Sequence, residues 1–211
     1  MSLRRVSSSL ALGILISAGA ASAATETYRI DPNHSNVGFS VRHFFSKVPG
    51  RFTKYEGTIT LDPKNLSTAV VSVTIDAASI NTGVDDRDSD LRSANFFDVA
   101  KYPTITFVST GVTAQGPRKA TVKGNLTMHG VTKPVTLEAE VLGFSPDPWG
   151  GYRGGFEART LINRMDYGVS WSKTVEGGGL VVGNEVDIVL DIEGTREAPK
   201  PAAPVTPVPK K

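Results

Sequence analysis

The chain has 211 residues, 23 of them basic and 21 acidic, and no cysteine. Near balance of charge without a long cationic stripe lacks the footprint of a phosphate-backbone binder, so no nucleic-acid partner is expected. Without cysteine there is neither a disulfide framework nor a thiolate site, and the domain must fold by burial alone.

The first 23 residues, MSLRRVSSSLALGILISAGAASA, join Arg4 and Arg5 to an apolar run from Leu10 to Ile16 and a closing Ala21-Ser22-Ala23. That order predicts a secretory signal peptide cleaved before Ala24. The apolar run is too short to cross about 30 Å of hydrocarbon as a helix. The mature chain is therefore expected to have no transmembrane segment, to carry 21 basic and 21 acidic residues, and to be periplasmic or otherwise secreted.

From there to Arg196 the dominant period is two, which predicts strands with one dry face. Val37, Phe39 and Val41 alternate with Asn36, Gly38, Ser40 and Arg42, and the segment runs into Phe44 and Phe45. Val71, Val73 and Ile75 alternate with Ser72, Thr74 and Asp76. The stretch TGVDDRDSDLRSANFFDV breaks the pattern: its early acidic residues suit the start of a helix of about two turns, and Pro103 returns the chain to strand. Ile105 and Phe107 follow, then Ala120, Val122, Leu126 and Met128, then Val135, Leu137, Ala139 and Val141. Phe156, Ala158 and Ile162, and finally Val186, Ile188, Leu190 and Ile192, complete the set. Residues 197–211, with prolines at 199, 201, 204, 207 and 209, predict an extended disordered tail.

About eight half-dry strands with one helical excursion make an all-β, antiparallel domain over 24–196, either a sandwich or a closed barrel. Inward-facing Ala120, Gly124, Ala139 and Ala158 admit two readings. They leave room inside a barrel for one small ligand, or they complement Phe39, Phe107 and Phe156 in a filled core.

Chemistry-bearing residues are sparse. His34 and His43 are nine residues apart and His129 lies in a compact MHGVTKP turn, a spacing that builds no tetrahedral metal site. His34 beside Ser35 lacks a nucleophile elbow, and neither GGYRGG nor EGGGL is a phosphate loop. No catalytic residue, metal or cofactor is expected.

Five segments in order carry a resemblance: YRIDPNHSNVGFSVRH at 28–43, GRFTKYEGTITLD at 50–62, DDRDSDLRSANFFDVAKYPTITF at 85–107, GNLTMHGVTKPVTL at 124–137 and NRMDYGV at 163–169. The chain resembles the YceI-like family of exported polyisoprenoid-binding proteins, whose fold is an extended lipocalin-like barrel. It departs from the family at Asp90, where a histidine is frequent. The resemblance implies noncovalent binding, carriage or sensing of a long-chain amphipathic lipid, such as a polyisoprenoid, an isoprenoid quinone or a fatty-acid-like molecule. It also permits a homodimer sharing residues at the mouth.

On that reading the tail would be lined by Val37, Phe39, Val41, Val73, Ile75, Ile105, Phe107, Leu126, Leu137, Val141, Phe156 and Ile188. Phe44, Phe45 and Phe52 bracket SKVPGR, which would form either a lip moving at Gly50 or a plug. His34, Arg42 and Arg164 are the candidates for a polar head. The alternatives are an enzyme using His34 at the mouth and a solid-core structural β protein.

Overall fold

The computed structural model describes residues 25–174 and 180–198. The expected leader and the stretch from residue 199 onward lie outside them. Among the described residues the strands are β1 (Glu26–Ile30), β2 (Asn36–His43), β3 (Ser46–Phe52), β4 (Tyr55–Asp62), β5 (Asn65–Asp76), β6 (Ile80–Asn81), β7 (Thr104–Ala114), β8 (Lys119–Met128), β9 (Val131–Pro146), β10 (Tyr152–Asn163) and β11 (Val182–Arg196). One helix, α1 (Asp85–Arg92), stands between β6 and β7. No helix among them is long and apolar enough to cross a membrane.

Every pairing is antiparallel, and eight strands close into a ring in the order β1, β4, β5, β7, β8, β9, β10, β11 and back to β1. Tyr28 lies opposite Ile59 on one side and Arg196 on the other, so the five residues of β1 seal the barrel at that end. At the other end β11 continues along β2, with Ile188 opposite Phe39 and Leu190 opposite Val37, and β3 and β6 extend the wall. The seal reaches one residue past β11, where the Glu197 amide donates to the Thr27 carbonyl at 2.7 Å.

The two ends close differently. Beyond β1, the rings of Tyr28, Phe144 and Phe156 pack with centroids 5.2, 5.9 and 5.9 Å apart. The far end is covered by α1 and the segment after it. The helix has no side-chain N-cap, and Asp85, Asp86 and Asp88 in its first turn meet the exposed amide dipoles instead. Buried Asp88 accepts the Thr82 amide at 2.9 Å and the Thr82 hydroxyl at 2.5 Å, while Arg92 donates to the carbonyls of Ala78 and Ile80. These bonds fasten α1 to β6, leaving Phe96 and Phe97 to pack on Trp171 and Phe52.

Residues 46–52 correct the expected lip or plug: they form β3, paired with β2 from Ser46 to Phe52. Gly50 is not a hinge there. A Cβ at this position would lie 2.3 Å from the Phe39 ring, so the glycine makes room for an aromatic of the neighbouring strand. Gly124 does the same for Phe107. At these two levels, small residues complement large ones.

An ion network pins the β1 end. Arg153 on β10 reaches Asp31 at 2.9 Å, Asp147 at 3.1 Å and Glu193, and His34 Nδ1 lies 2.8 Å from Asp31. Hydrogen bonds from His34 and Arg153 pull the Asp31 carboxyl down to about 2. The network ties the β1–β2 corner to the β9–β10 loop and to β11.

Two predictions follow from this packing. Gly124→Val drives a side chain into Phe107, 2.4 Å from its Cζ, and into the Val108 carbonyl at 2.7 Å; chemical denaturation should show a loss of about 1–3 kcal/mol. Because Asp31 is more acidic folded than its ordinary unfolded value of about 3.9, its contribution is complete above about pH 4 and fades as pH falls toward 2. Asp31→Asn should therefore melt below the wild type at pH 6, with the difference closing between about pH 4 and 2.

Candidate binding cavity

The ring encloses a cavity of about 270 Å³ whose wall is almost wholly apolar. This is roughly twenty times the space one water needs, enough for a chain of carbons. On β11 alone the lining runs from Val182 to Ile192, roughly 30 Å of strand, which at ordinary barrel tilt is roughly 25 Å along the axis. The cavity is thus an axial tube rather than a surface cleft.

Alternation builds the wall. β2 contributes Val37, Phe39 and Val41; β3 contributes Phe52; β5 contributes Val73 and Ile75; and β7 contributes Ile105 and Phe107. Leu126 comes from β8, Leu137 and Val141 from β9, Phe156 from β10 and Ile188 from β11. Ala120, Ala139 and Ala158 also line it. Phe39, Ala158, Ile188 and Leu190 keep part of their surface free although they point inward, because that surface faces the cavity. Small residues therefore do both things proposed for them: Gly50 and Gly124 accommodate rings, and the three alanines leave space.

Several wall residues escaped the sequence reading. Ile59 and Leu61 of β4 follow the same alternation and were legible in principle; Leu66 and Ala69 of β5 complete that side. Leu91, Phe96 and Phe97 roof the α1 end. Their inward aim depends on how the helix docks, which no local period encodes.

The three polar candidates separate. Arg164 is buried and lines the cavity. Its Nε donates to Gly183 at 2.8 Å, one terminal nitrogen to Val169 and Trp171 at 2.6 and 2.8 Å, and the other to Val182 at 3.2 Å, all carbonyls. Four of five N–H groups are thus used. No carboxylate cancels the charge among the described ion pairs. Burial lowers the guanidinium's pKa from its ordinary value, yet it stays cationic at neutral pH.

His34 and Arg42 do not join it. His34 is exposed at the opposite end, held by Asp31. Asp31, His34 and Glu193 cluster closely enough to suggest a cation site, but the guanidinium of Arg153 already lies between the two carboxylates. Arg42 alternates outward from Val41 and is exposed. Phe44 and Phe45 are likewise corrected as lining: they form the outward tip of the β2–β3 hairpin, because the two strands pair up to His43 and Ser46 and leave only these residues to turn. His129, at positive φ, bonds the Tyr167 carbonyl at 3.1 Å and serves its turn.

A model of the YceI-like domain matches residues 28–194. Protein YceI of Escherichia coli O157:H7 is 42% identical over 187 residues, covering 87% of this chain and 93% of that protein. Among solved structures, Burkholderia cenocepacia BcnA superposes with a TM-score of 0.69 at 24% identity, covering 78% of this chain and 98% of that one. A polyisoprenoid binding domain from Saccharophagus degradans does so with a TM-score of 0.59 at 22% identity, covering 82% and 98%. Both share the barrel. With its domain matched almost from β1 to the end of β11, the chain belongs to the YceI-like family.

Proposed function

We propose that this protein binds one long isoprenoid or similar amphipathic lipid noncovalently, its tail along the barrel axis and its head near Arg164. The observation that carries the reading is the enclosed apolar tube, walled by side chains from seven of the eight ring strands, all but β1. Each methylene moved from water into it contributes roughly 0.8 kcal/mol before the cost of ordering the chain. A tail can therefore supply the affinity with no help from charge.

The direction of the tail follows from the ends. At the β1 end the aromatic trio packs and the charges that line the cavity, Arg118 and Glu140, pair with each other at 3.1 Å, whereas at the other end Arg164 has no carboxylate partner and one N–H uncommitted among the described residues. A carbonyl, phosphate or carboxylate oxygen on the head suits that site, which accommodates an isoprenoid quinone, a prenyl phosphate or a fatty acid. The polyisoprenoid binding domain of Saccharophagus degradans shares the barrel, which agrees with this class of cargo. The leader-like first 23 residues support a periplasmic or secreted setting, where a lipid in transit needs a cover from water. Carriage or sensing is the corresponding role; binding alone, without turnover, suffices for either.

The test is mass spectrometry of gently purified protein for a retained lipid, followed by titration with prenyl chains of increasing length. Affinity should rise with length and level off once the tail fills roughly 25 Å of tube. Ala158→Phe, which fills the middle opposite Leu190, should weaken binding at least about tenfold while thermal melting remains cooperative. Affinity that ignores tail length would refute the enclosed-tail reading.

A further inference from the structure

At the Arg164 end the β2–β3 hairpin turns through two residues, His43 and Ser46 being the last opposed pair. Two-residue turns normally place glycine or asparagine where the backbone goes left-handed. Here the two residues are Phe44 and Phe45. Phe44 has φ 48°, an unfavourable conformation for a bulky side chain. It is 41% exposed and Phe45 is 97% exposed. The two ring centroids lie 6.5 Å apart and Phe44 packs on His43 at 4.9 Å, instead of on the core.

Directly behind the tip, Arg42 faces Lys47 across the two strands. Like charges so placed cost stability. Asp187 meets Lys47 at 2.6 Å, and Arg42 has no ion pair among the described residues. The Phe44 amide bonds the Val181 carbonyl at 3.1 Å, which brings the segment of exposed Leu180 alongside the turn. The tip thus combines a strained turn, two wet rings and, in Arg42, a cation with no ion pair among the described residues.

A bilayer buries the rings and gives the cations anionic partners, while the backbone strain at Phe44 is the same in either setting. Rings settle at the boundary of headgroups and acyl chains, and cations one residue behind them meet the phosphates. A protein partner fits less well: two rings offer about 150–250 Å² each, against roughly 800 Å² per side in a stable interface. We propose that the Phe44–Phe45 hairpin is a membrane-docking tip, inserting both rings into an anionic bilayer with Arg42 and Lys47 at phosphate depth. Asp166 and Glu185 remain exposed toward the same end, so the rings dominate and anionic lipid adds to them. That docking serves loading of the tube rests on the lipid-binding reading; the docking itself does not.

The experiment uses the chain from Ala24 onward, which contains the complete ring, and vesicles of phosphatidylethanolamine and phosphatidylglycerol. Wild type should co-sediment with them. The double substitution Phe44→Asn, Phe45→Gly gives the turn its preferred residues, so it should melt no lower than wild type, yet bind vesicles at least about tenfold more weakly. In Phe45→Trp, brominated acyl chains should quench the added fluorescence. Ala158→Phe separates docking from cargo: it should lose prenyl-chain binding and keep vesicle binding, with the hairpin variant doing the reverse. Absence of wild-type co-sedimentation, unchanged co-sedimentation of the hairpin variant, no quenching at position 45, or joint loss of both activities in Ala158→Phe would each overturn the tip.

Discussion

Everything in this molecule depends on closure of the sheet at β1. Five residues, Glu26–Ile30, are paired on both edges, to β4 and to β11, and buried Tyr28 anchors the aromatic packing beneath them. A ring has no unpaired edge, and with eight strands its interior is wide enough to be either packed or hollow. Closure fixes the inner surface as one face of every strand; the sizes of the side chains on that face then decide between the two outcomes. In this chain the sizes vary by level: phenylalanine against glycine in some places, alanine beside alanine across β8, β9 and β10 in others.

An apolar hollow is unfavourable in the empty protein. By the cost of cavities in packed cores, a void of this size forfeits on the order of several kcal/mol. Natural cores ordinarily fill such space, and nothing local prevents larger residues at Ala139 or Ala158, whose neighbours line the same tube. The unfilled volume is consistent with a fold whose stability is completed by an apolar chain occupying it, in the way that any ligand bound only by the native state stabilises it. On this view the hollow and the affinity for a tail are two aspects of one term.

Much of this was legible in the chain itself, and what was not had a common cause. The alternation in β2 and β11 identified Phe39, Val41, Ile188 and Leu190 as inward because period two is a local property. β3 was misread because Pro49 and Gly50 look like loop punctuation, whereas their fitness for a strand depends on Phe39 across the pair. Arg164 was a candidate by charge, but its burial among four carbonyls is set by segments 169–171 and 182–183 folding around it. The partners of Arg153 lie at positions 31, 147 and 193, a convergence that only the closed ring creates. Whether the interior was solid or hollow could not be read from residue types, since a lining and a core use the same ones.

The distribution of charge and aromatic surface gives the barrel a polarity that its symmetric wall lacks. At the β1 end, Arg153 ties three carboxylates together outside the packed rings, so that end is finished in water. At the other end Arg164 keeps its charge inside, α1 forms the roof in place of strands, and Phe44 and Phe45 stand outside with nothing among the described residues to cover them. The residues unfavourable in water gather where a tail would enter and a head would rest. A barrel that met lipids only in solution would have no use for such an asymmetry; one that receives its cargo from a surface would, because the end facing that surface must tolerate lipid outside as well as within.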